Sequence, residues 1–348
     1  MTMAQQPMVD ADERKALIEE LQKYNFRVSS PDKPLFTKEP SSSMVPVLWK
    51  AGDIAEQLEQ IGNRLKLQAG GARRTLQLSN PGLPYGTTPT FWVSIQYILP
   101  GEVATAHRHM ASALRFIMQG NGADTTVNGE QYEINEGDLV LTPNWTWHDH
   151  EHKGSEPMVW IDVLDISLVR SFHAVFFEDF ETARQTPNVI PDVSYRQFGS
   201  GLMRPLRKPE PRKYSPLLAY SRAMSEEALH QAAGLEPDPY DDVILEYQNP
   251  LTGEPALPTI GTRLQMLRPG SHTRAHRHTG SAVYYVVRGQ GATIIDGERF
   301  DWARGDFLSL PPWATHEHLN ESDEAAVLFQ VNDIPALDKL GLYREQAV

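Results

Sequence analysis

The chain has 348 residues, 40% hydrophobic and 22% charged, with a net charge of −13 and no cysteine. This composition suits a globular protein large enough for two cores; it excludes disulfides and thiolate catalysis, and it disfavours nucleic acid or an anionic membrane surface as partner. No apolar run reaches the length of a membrane span and the polar N-terminus has no leader-like pattern, so a soluble cytoplasmic protein is expected.

Residues 1–84 read as a helical extension. Asp10 and Asp53 are placed to cap two helices, with Glu13 and Glu56 three residues on and apolar stripes at Leu17, Leu21 and Ile54, Leu58, Ile61. A Pro- and Ser-rich stretch, Ser29 to Pro46, separates them. From Thr90 the apolar period becomes two, with Phe91, Val93, Ile95 and Tyr97 on one face and Trp92, Ser94 and Gln96 on the other. Residues 85–170 form a first β domain and 255–335 a second. Residues 171–254 read as a linker containing helices, and 336–348 as a short helical tail.

The two β domains are copies. His107-Arg108-His109 recurs as His276-Arg277-His278 after 169 residues, with Gly101 and Gly120 matched by Gly270 and Gly289. Gly137-Asp138, Pro143, Trp145 and His148 recur 168 residues later as Gly305-Asp306, Pro311, Trp313 and His316. Asn128-Gly129 and Asp296-Gly297 are equivalent hairpin turns. Residues two apart on a strand share a face, so His-x-His aims two imidazoles into one cavity, and the distal histidine makes three. His107, His109 and His148 are therefore candidate metal ligands, as are His276, His278 and His316. Neutral imidazoles suit iron, copper, nickel or zinc, and three of them leave positions open for reactants.

This pattern resembles the cupin family in its bicupin form: a mainly β fold of two double-stranded β-helix (jelly-roll) barrels. Many cupins add a glutamate four residues after the second histidine, where this chain has Ala113 and Ala282. That departure argues against the oxalate decarboxylase-like and germin-like bicupins. The stretches Ala106-His-Arg-His-Met-Ala-Ser-Ala-Leu-Arg-Phe116 and Thr142-Pro-Asn-Trp-Thr-Trp-His-Asp-His150 resemble the gentisate 1,2-dioxygenase family, with its salicylate and 1-hydroxy-2-naphthoate dioxygenase relatives. The resemblance implies Fe(II) in the first barrel and a second Fe(II) in the other. It also implies a small aromatic carboxylate and dioxygen as substrates, cleavage of gentisate to maleylpyruvate, and a homotetramer. Another metal-dependent cupin enzyme, an isomerase or decarboxylase, is the rival enzyme class, and a storage or sugar-sensing bicupin is the non-enzymatic one.

Arg115 lies six residues after His109 and shares its parity, so it points inward if pairing is regular. It either forms an ion pair with Asp162 or, as the resemblance implies, clamps a substrate carboxylate. Arg74, or its neighbour Arg73, is a candidate for a second carboxylate contact. Trp92 can wall a planar ring, and an inward Gln96 is hard to explain by packing alone. His150 follows His148 by two and is a candidate proton-exchanging group, with Asp162 to orient it or Arg115. Asp149 should face elsewhere, and His152 is expected in a turn at the barrel rim. In the second copy Tyr284, Gly261 and Gln330 replace Arg115, Trp92 and Asp162, while Gln265 and His318 match Gln96 and His150. That copy keeps its ligands, but its substrate pocket reads as dismantled.

Overall fold

The computed structural model describes residues 10–28, 35–65, 74–207 and 212–348. The described residues up to Ser41 form a small unit of their own with one helix, Ala11–Gln22. Asp10 precedes this helix, but its side chain makes no capping hydrogen bond among the described residues.

Ser42–Val348 form the second unit, which holds both β domains, called first and second cupin below after the resemblance. The first cupin has a six-stranded sheet in the order Ala219–Tyr220, Leu139–Thr142, Ala113–Gln119, Met158–Leu164, Trp92–Ile98, Thr75–Gln77. Its five-stranded partner runs Phe177–Asp179, Val103–His109, His148–His152, Asn121–Val127, Glu130–Asn135. The second cupin repeats both sheets, and all pairing is antiparallel. The expected hairpin turns form for a local reason. Asn128 and Gly129 have φ of 47° and 82°, and Asp296 and Gly297 have 48° and 86°, the left-handed conformation that Asn, Asp and Gly tolerate best.

The outer faces of the six-stranded sheets contribute to one shared apolar core, in which Phe116 of the first cupin stacks on Phe329 of the second at 4.1 Å. Truncating either ring would cost about 3–5 kcal/mol.

The copies also exchange their leading segments. Val47–Trp49, ahead of the first cupin, pairs with Phe307–Leu310 of the second, while Ala219–Tyr220, ahead of the second, pairs with Leu139–Thr142 of the first. The helices that follow these strands, Ala51–Arg64 and Arg222–Ala232, dock with the same reciprocity. The Ala51 N–H donates to Asp306 Oδ1 at 2.7 Å, and the Arg222 N–H donates to Asp138 Oδ1 at 2.8 Å. Each repeated Gly-Asp pair thus supplies a carboxylate to a helix N-terminus from the other half of the chain. This corrects the expected cap: Asp53 lies inside the first turn of a helix that already begins at Ala51.

Two other expectations change. The expected linker contributes strands to both cupins, with Phe177–Asp179 and Ala219–Tyr220 on the first and Val243–Glu246 on the second. The tail is only partly helical. After Ile334–Lys339, residues Glu345–Ala347 form a strand on His276–His278.

Candidate active site

Strand pairing brings His107 opposite His148, and ring nitrogens of His107, His109 and His148 lie within 4.8 Å of one another. The Nδ1 atoms lie against backbone carbonyls of Thr105, Ala111 and Thr146, at 2.7, 2.7 and 2.9 Å. A carbonyl only accepts, so each Nδ1 carries the proton and each Nε2 lone pair is directed to the cluster. Three oriented neutral imidazoles fit a first-row transition metal. Among the described residues no carboxylate joins the cluster, and Ala113 is fully buried in the core.

The motif around the ligands has a mechanical explanation. Trp145 sits at a left-handed φ of 58° and donates its N–H to the His109 carbonyl at 2.8 Å. Arg108, between the histidines, points the other way and stacks over Trp145 and Trp147, each at 4.3 Å. The outer residue of His-Arg-His thereby ties the histidine strand to the loop carrying His148.

Facing the histidines is one surface of the six-stranded sheet. Asp162 pairs with both Arg115 and Ser94, and Trp160 pairs with Gln96, so these side chains share that surface with Trp92. His150 projects from the five-stranded sheet to within 5.5 Å of the Trp160 ring, with Nδ1 hydrogen-bonded to Thr125 Oγ1 at 2.8 Å. Arg115 is 1% exposed, donates to Thr142 Oγ1 at 3.0 Å and lies 3.4 Å from Asp162 Oδ1. Burial lowers the guanidinium pKa and Asp162 opposes the shift. The ion pair leaves much unsatisfied. Arg115 Nε, Trp92 Nε1, Trp160 Nε1 and both amide atoms of Gln96 are buried with no hydrogen-bond partner among the described residues. Each such atom costs about 1–3 kcal/mol, so a surface dense in them is shaped for a polar ligand.

Not every expected residue joins this surface. Arg74 forms an ion pair with Glu102 and donates to the Leu65 carbonyl at 3.0 Å; it takes the parity opposite to Gln96, away from the histidines. Arg73 lies outside the described residues. His152 is a strand residue rather than a rim turn, fully buried with Nε2 2.5 Å from the Glu156 carbonyl. Asp149 faces elsewhere, binding Gln185 and Arg184. Asp162 lies against Arg115, and its orienting contact is there rather than with His150. Trp160 and Thr142 were missed as site residues; the parity of Trp160 with Asp162 was the available signal.

A cupin domain model matches residues 94–164 and 263–332. The chain is 39% identical to 5-aminosalicylate 1,2-dioxygenase of a Comamonas species, covering 89% of this chain and 83% of that protein. It is 36% identical to gentisate 1,2-dioxygenase of a Streptomyces species, covering 89% and 88%. The chain belongs to the gentisate 1,2-dioxygenase family. Salicylate 1,2-dioxygenase from Pseudoaminobacter salicylatoxidans, solved with gentisate, superposes with a TM-score of 0.90 at 31% identity, covering 100% of this chain and 97% of that one. The chain is thus a bicupin ring-cleaving dioxygenase.

The dioxygenase repeats the triad in its second cupin with a different neighbourhood. Ring nitrogens of His276, His278 and His316 also lie within 4.8 Å of one another. His278 and His316 are held by carbonyls of Gly280 and Ala314, at 2.9 and 3.1 Å, whereas His276 Nδ1 meets Glu345 Oε1 at 3.0 Å. The Nε2 atoms of His276 and His316 are buried without a hydrogen-bond partner among the described residues, a donor set that suits a cation. A cavity of about 300 Å³ adjoins them, lined by Asp238, Asp241, Glu246 and Glu345, with Arg263 as the one arginine or lysine among the described residues there. At the positions of Arg115 and Asp162 the second cupin has a closed chain, although Gln265 Oε1, like its counterpart Gln96 Oε1, is buried without a partner among the described residues. Asn332 Nδ2 donates to Gln330 Oε1 at 3.0 Å, and Gln330 Nε2 donates to Tyr284 Oη at 2.9 Å. The Asn332 amide occupies the space that a side chain at Gly261 would need.

Proposed function

We propose that this enzyme is an iron(II)-dependent gentisate 1,2-dioxygenase and that ring cleavage takes place in the first cupin alone. The observation that carries the proposal is the buried, incompletely paired Arg115 on a surface of orphaned polar atoms facing three oriented histidines. Gentisate has a carboxylate and an ortho hydroxyl, a chelating pair, and a second ring hydroxyl. His107, His109 and His148 would hold an iron(II) ion that binds both reactants and supplies the redox chemistry. Arg115 holds the carboxylate in its planar fork, and Asp162 fixes the angle of that fork. Gln96 hydrogen-bonds a ring oxygen, and Trp92 and Trp160 close on the ring. His150, with Nδ1 engaged by Thr125, exchanges a proton at Nε2 with a ring hydroxyl. The bond between the carboxylate-bearing carbon and its hydroxyl-bearing neighbour breaks, both oxygen atoms enter the product, and maleylpyruvate results.

The second triad is proposed to bind a metal without turning over substrate, because an acid-lined cavity repels an aromatic carboxylate. A homotetramer, which the family resemblance implies, would cover exposed apolar side chains such as Leu202, Leu206 and Phe176. No described helix is long and apolar enough to cross a membrane.

The 39% identity to a 5-aminosalicylate dioxygenase supports a second reading, in which the substituent opposite the phenol is an amine. Oxygen uptake after anaerobic iron loading, with gentisate, 5-aminosalicylate, salicylate and 1-hydroxy-2-naphthoate, tests the assignment. Gentisate is expected to give the highest kcat/KM. A higher value for any of the other three overturns the substrate, and no uptake with any of them overturns the reaction.

A further inference from the structure

One peptide group beside each triad makes hydrogen bonds on both of its sides. In the first cupin it is the Ala111–Ser112 peptide. Its carbonyl accepts from His109 Nδ1 at 2.7 Å, and its N–H donates to Asp165 Oδ1 at 2.8 Å. The other carboxylate oxygen, Asp165 Oδ2, accepts from Thr259 Oγ1 at 2.5 Å. Thr259 belongs to the second cupin's half of the chain.

The second cupin repeats every member. The Gly280 carbonyl accepts from His278 Nδ1 at 2.9 Å, and the Ser281 N–H donates to Asp333 Oδ1 at 2.8 Å. Asp333 Oδ2 accepts from Thr90 Oγ1, of the first cupin, at 2.6 Å. Ser281 Oγ adds a further bond to that oxygen at 2.8 Å. Thr90 and Thr259 are repeat equivalents, as are Ser112 and Ser281, and Asp165 and Asp333, at the spacings of 169, 169 and 168 residues. Both aspartates are buried, at 4% and 3% exposure. The second copy has exchanged Arg115, Trp92 and Asp162 yet keeps this set, so the set serves something other than substrate contact.

We infer that Asp165 and Asp333 are positioning residues for the two metal triads, each held by a threonine from the opposite cupin. The inference rests on the metal-binding reading above. A carboxylate accepting the peptide N–H polarises that peptide and strengthens its carbonyl as acceptor for the histidine Nδ1–H, which holds the ring and makes Nε2 a better donor to a metal. The second cupin thereby acts on the first triad through Thr259, although its own cavity is lined by acids.

The test is cobalt(II) titration, followed by its visible absorption and by competition with a chelator, in full-length protein. Each site is read in a background lacking the other: His276→Ala with His316→Ala to read the first, His107→Ala with His109→Ala to read the second. Thr259→Val and Asp165→Asn are expected to weaken the first site about tenfold, the low end for partners behind a metal ligand, and to leave the second unchanged. Thr90→Val should do the reverse, and Thr259→Ser, which keeps the hydroxyl, should restore affinity. Thermal unfolding of the apo proteins controls for packing. Lower apo stability with cobalt affinity unchanged in both Thr259→Val and Asp165→Asn overturns the inference and makes the set interdomain glue. Absence of cobalt uptake by the parent, or uptake that survives loss of both triads, overturns the metal reading itself.

Discussion

In the first cupin Arg115, Gln96 and Trp160 carry buried polar atoms with no partner among the described residues, whereas in the second Tyr284, Gln330 and Asn332 satisfy one another. The sheet order, the hairpin turns and the spacing of the histidine triads are shared. The difference teaches how a repeated barrel divides its labour. The histidine triads are set by strand parity in both copies, and carbonyl contacts orient every ring but His276, whose Nδ1 meets Glu345. A substrate surface needs polar groups left open, and their cost is recovered only when a ligand binds. Pairing Tyr284, Gln330 and Asn332 internally leaves fewer polar groups open to a ligand in the second copy.

The sharpest way to break this comparison is to remove one triad at a time. His109→Ala is expected to abolish gentisate turnover together with metal in the first cupin, while His276→Ala lowers total metal and leaves most turnover. Metal analysis and single-turnover kinetics on both proteins check this. Substantial cleavage by His109→Ala with only the second site loaded would show that the copies share the chemistry.

The next largest effect is expected at Arg115, which the second copy lacks. Arg115→Ala should lower kcat/KM for gentisate by about 10²–10³-fold with iron content near normal, because removing one partner of a buried charge pair costs about 2–5 kcal/mol. Arg115→Lys should recover part of this, since a point charge cannot reproduce the bidentate fork. Steady-state kinetics with iron analysis decides it, and an alanine variant that matched the parent would reassign Arg115 to a structural ion pair.

A pH dependence sharpens the contrast from the other side. Burial, followed by the neighbouring imidazoles, pushes His278 down to about 4 and His318 to about 3. Their folded-state values lie below the ordinary imidazole value of 6.5, so the unfolded chain takes up protons first as pH falls. The stabilisation is complete above about 6.5 and is lost as pH drops towards 4 and then 3. Melting of the apo protein between pH 7.5 and 4.5 should show a falling Tm, with a shallower fall in His318→Asn. Identical slopes would remove His318 from the account.

The smallest effect is expected at the aromatic wall. Trp92, half-buried against Tyr85 at 4.6 Å, should tolerate phenylalanine with a loss of about two- to tenfold in kcat/KM, the range of one aromatic contact. A KM rise with little change in kcat would place Trp92 in binding; a larger kcat loss would move it nearer the chemistry.

Much of the candidate site was legible because it depends on parity. The inward turn of His107, His109, His148, His150 and Arg115 follows from a period of two. His152 shares that parity, and it lies in the strand and not the expected turn because the strand runs further than its polar sequence suggests. Arg74 was misplaced for a related reason. Parity alone does not choose a side for a residue ahead of the strand, and Arg74 is taken by Glu102.

The sequence by itself determined the duplication, the two triads, the hairpin turns and the replacement of Arg115, Trp92 and Asp162 in the second copy. Each is a local pattern or a comparison of equivalent positions, and local backbone geometry is enough to interpret it. Only the tertiary structure decided which half each arm joins. The first N–H of the Ala51–Arg64 helix is held by Asp306, 255 residues from Ala51, and that of Arg222–Ala232, which Ser221 caps locally, by Asp138, 84 residues from Arg222. Thr259 reaches Asp165 across 94 residues, and Thr90 reaches Asp333 across 243. A buried carboxylate must find donors somewhere, but its own sequence neighbourhood does not say where. Packing two barrels back to back makes those choices, by bringing each copy's leading segment onto the other's sheet.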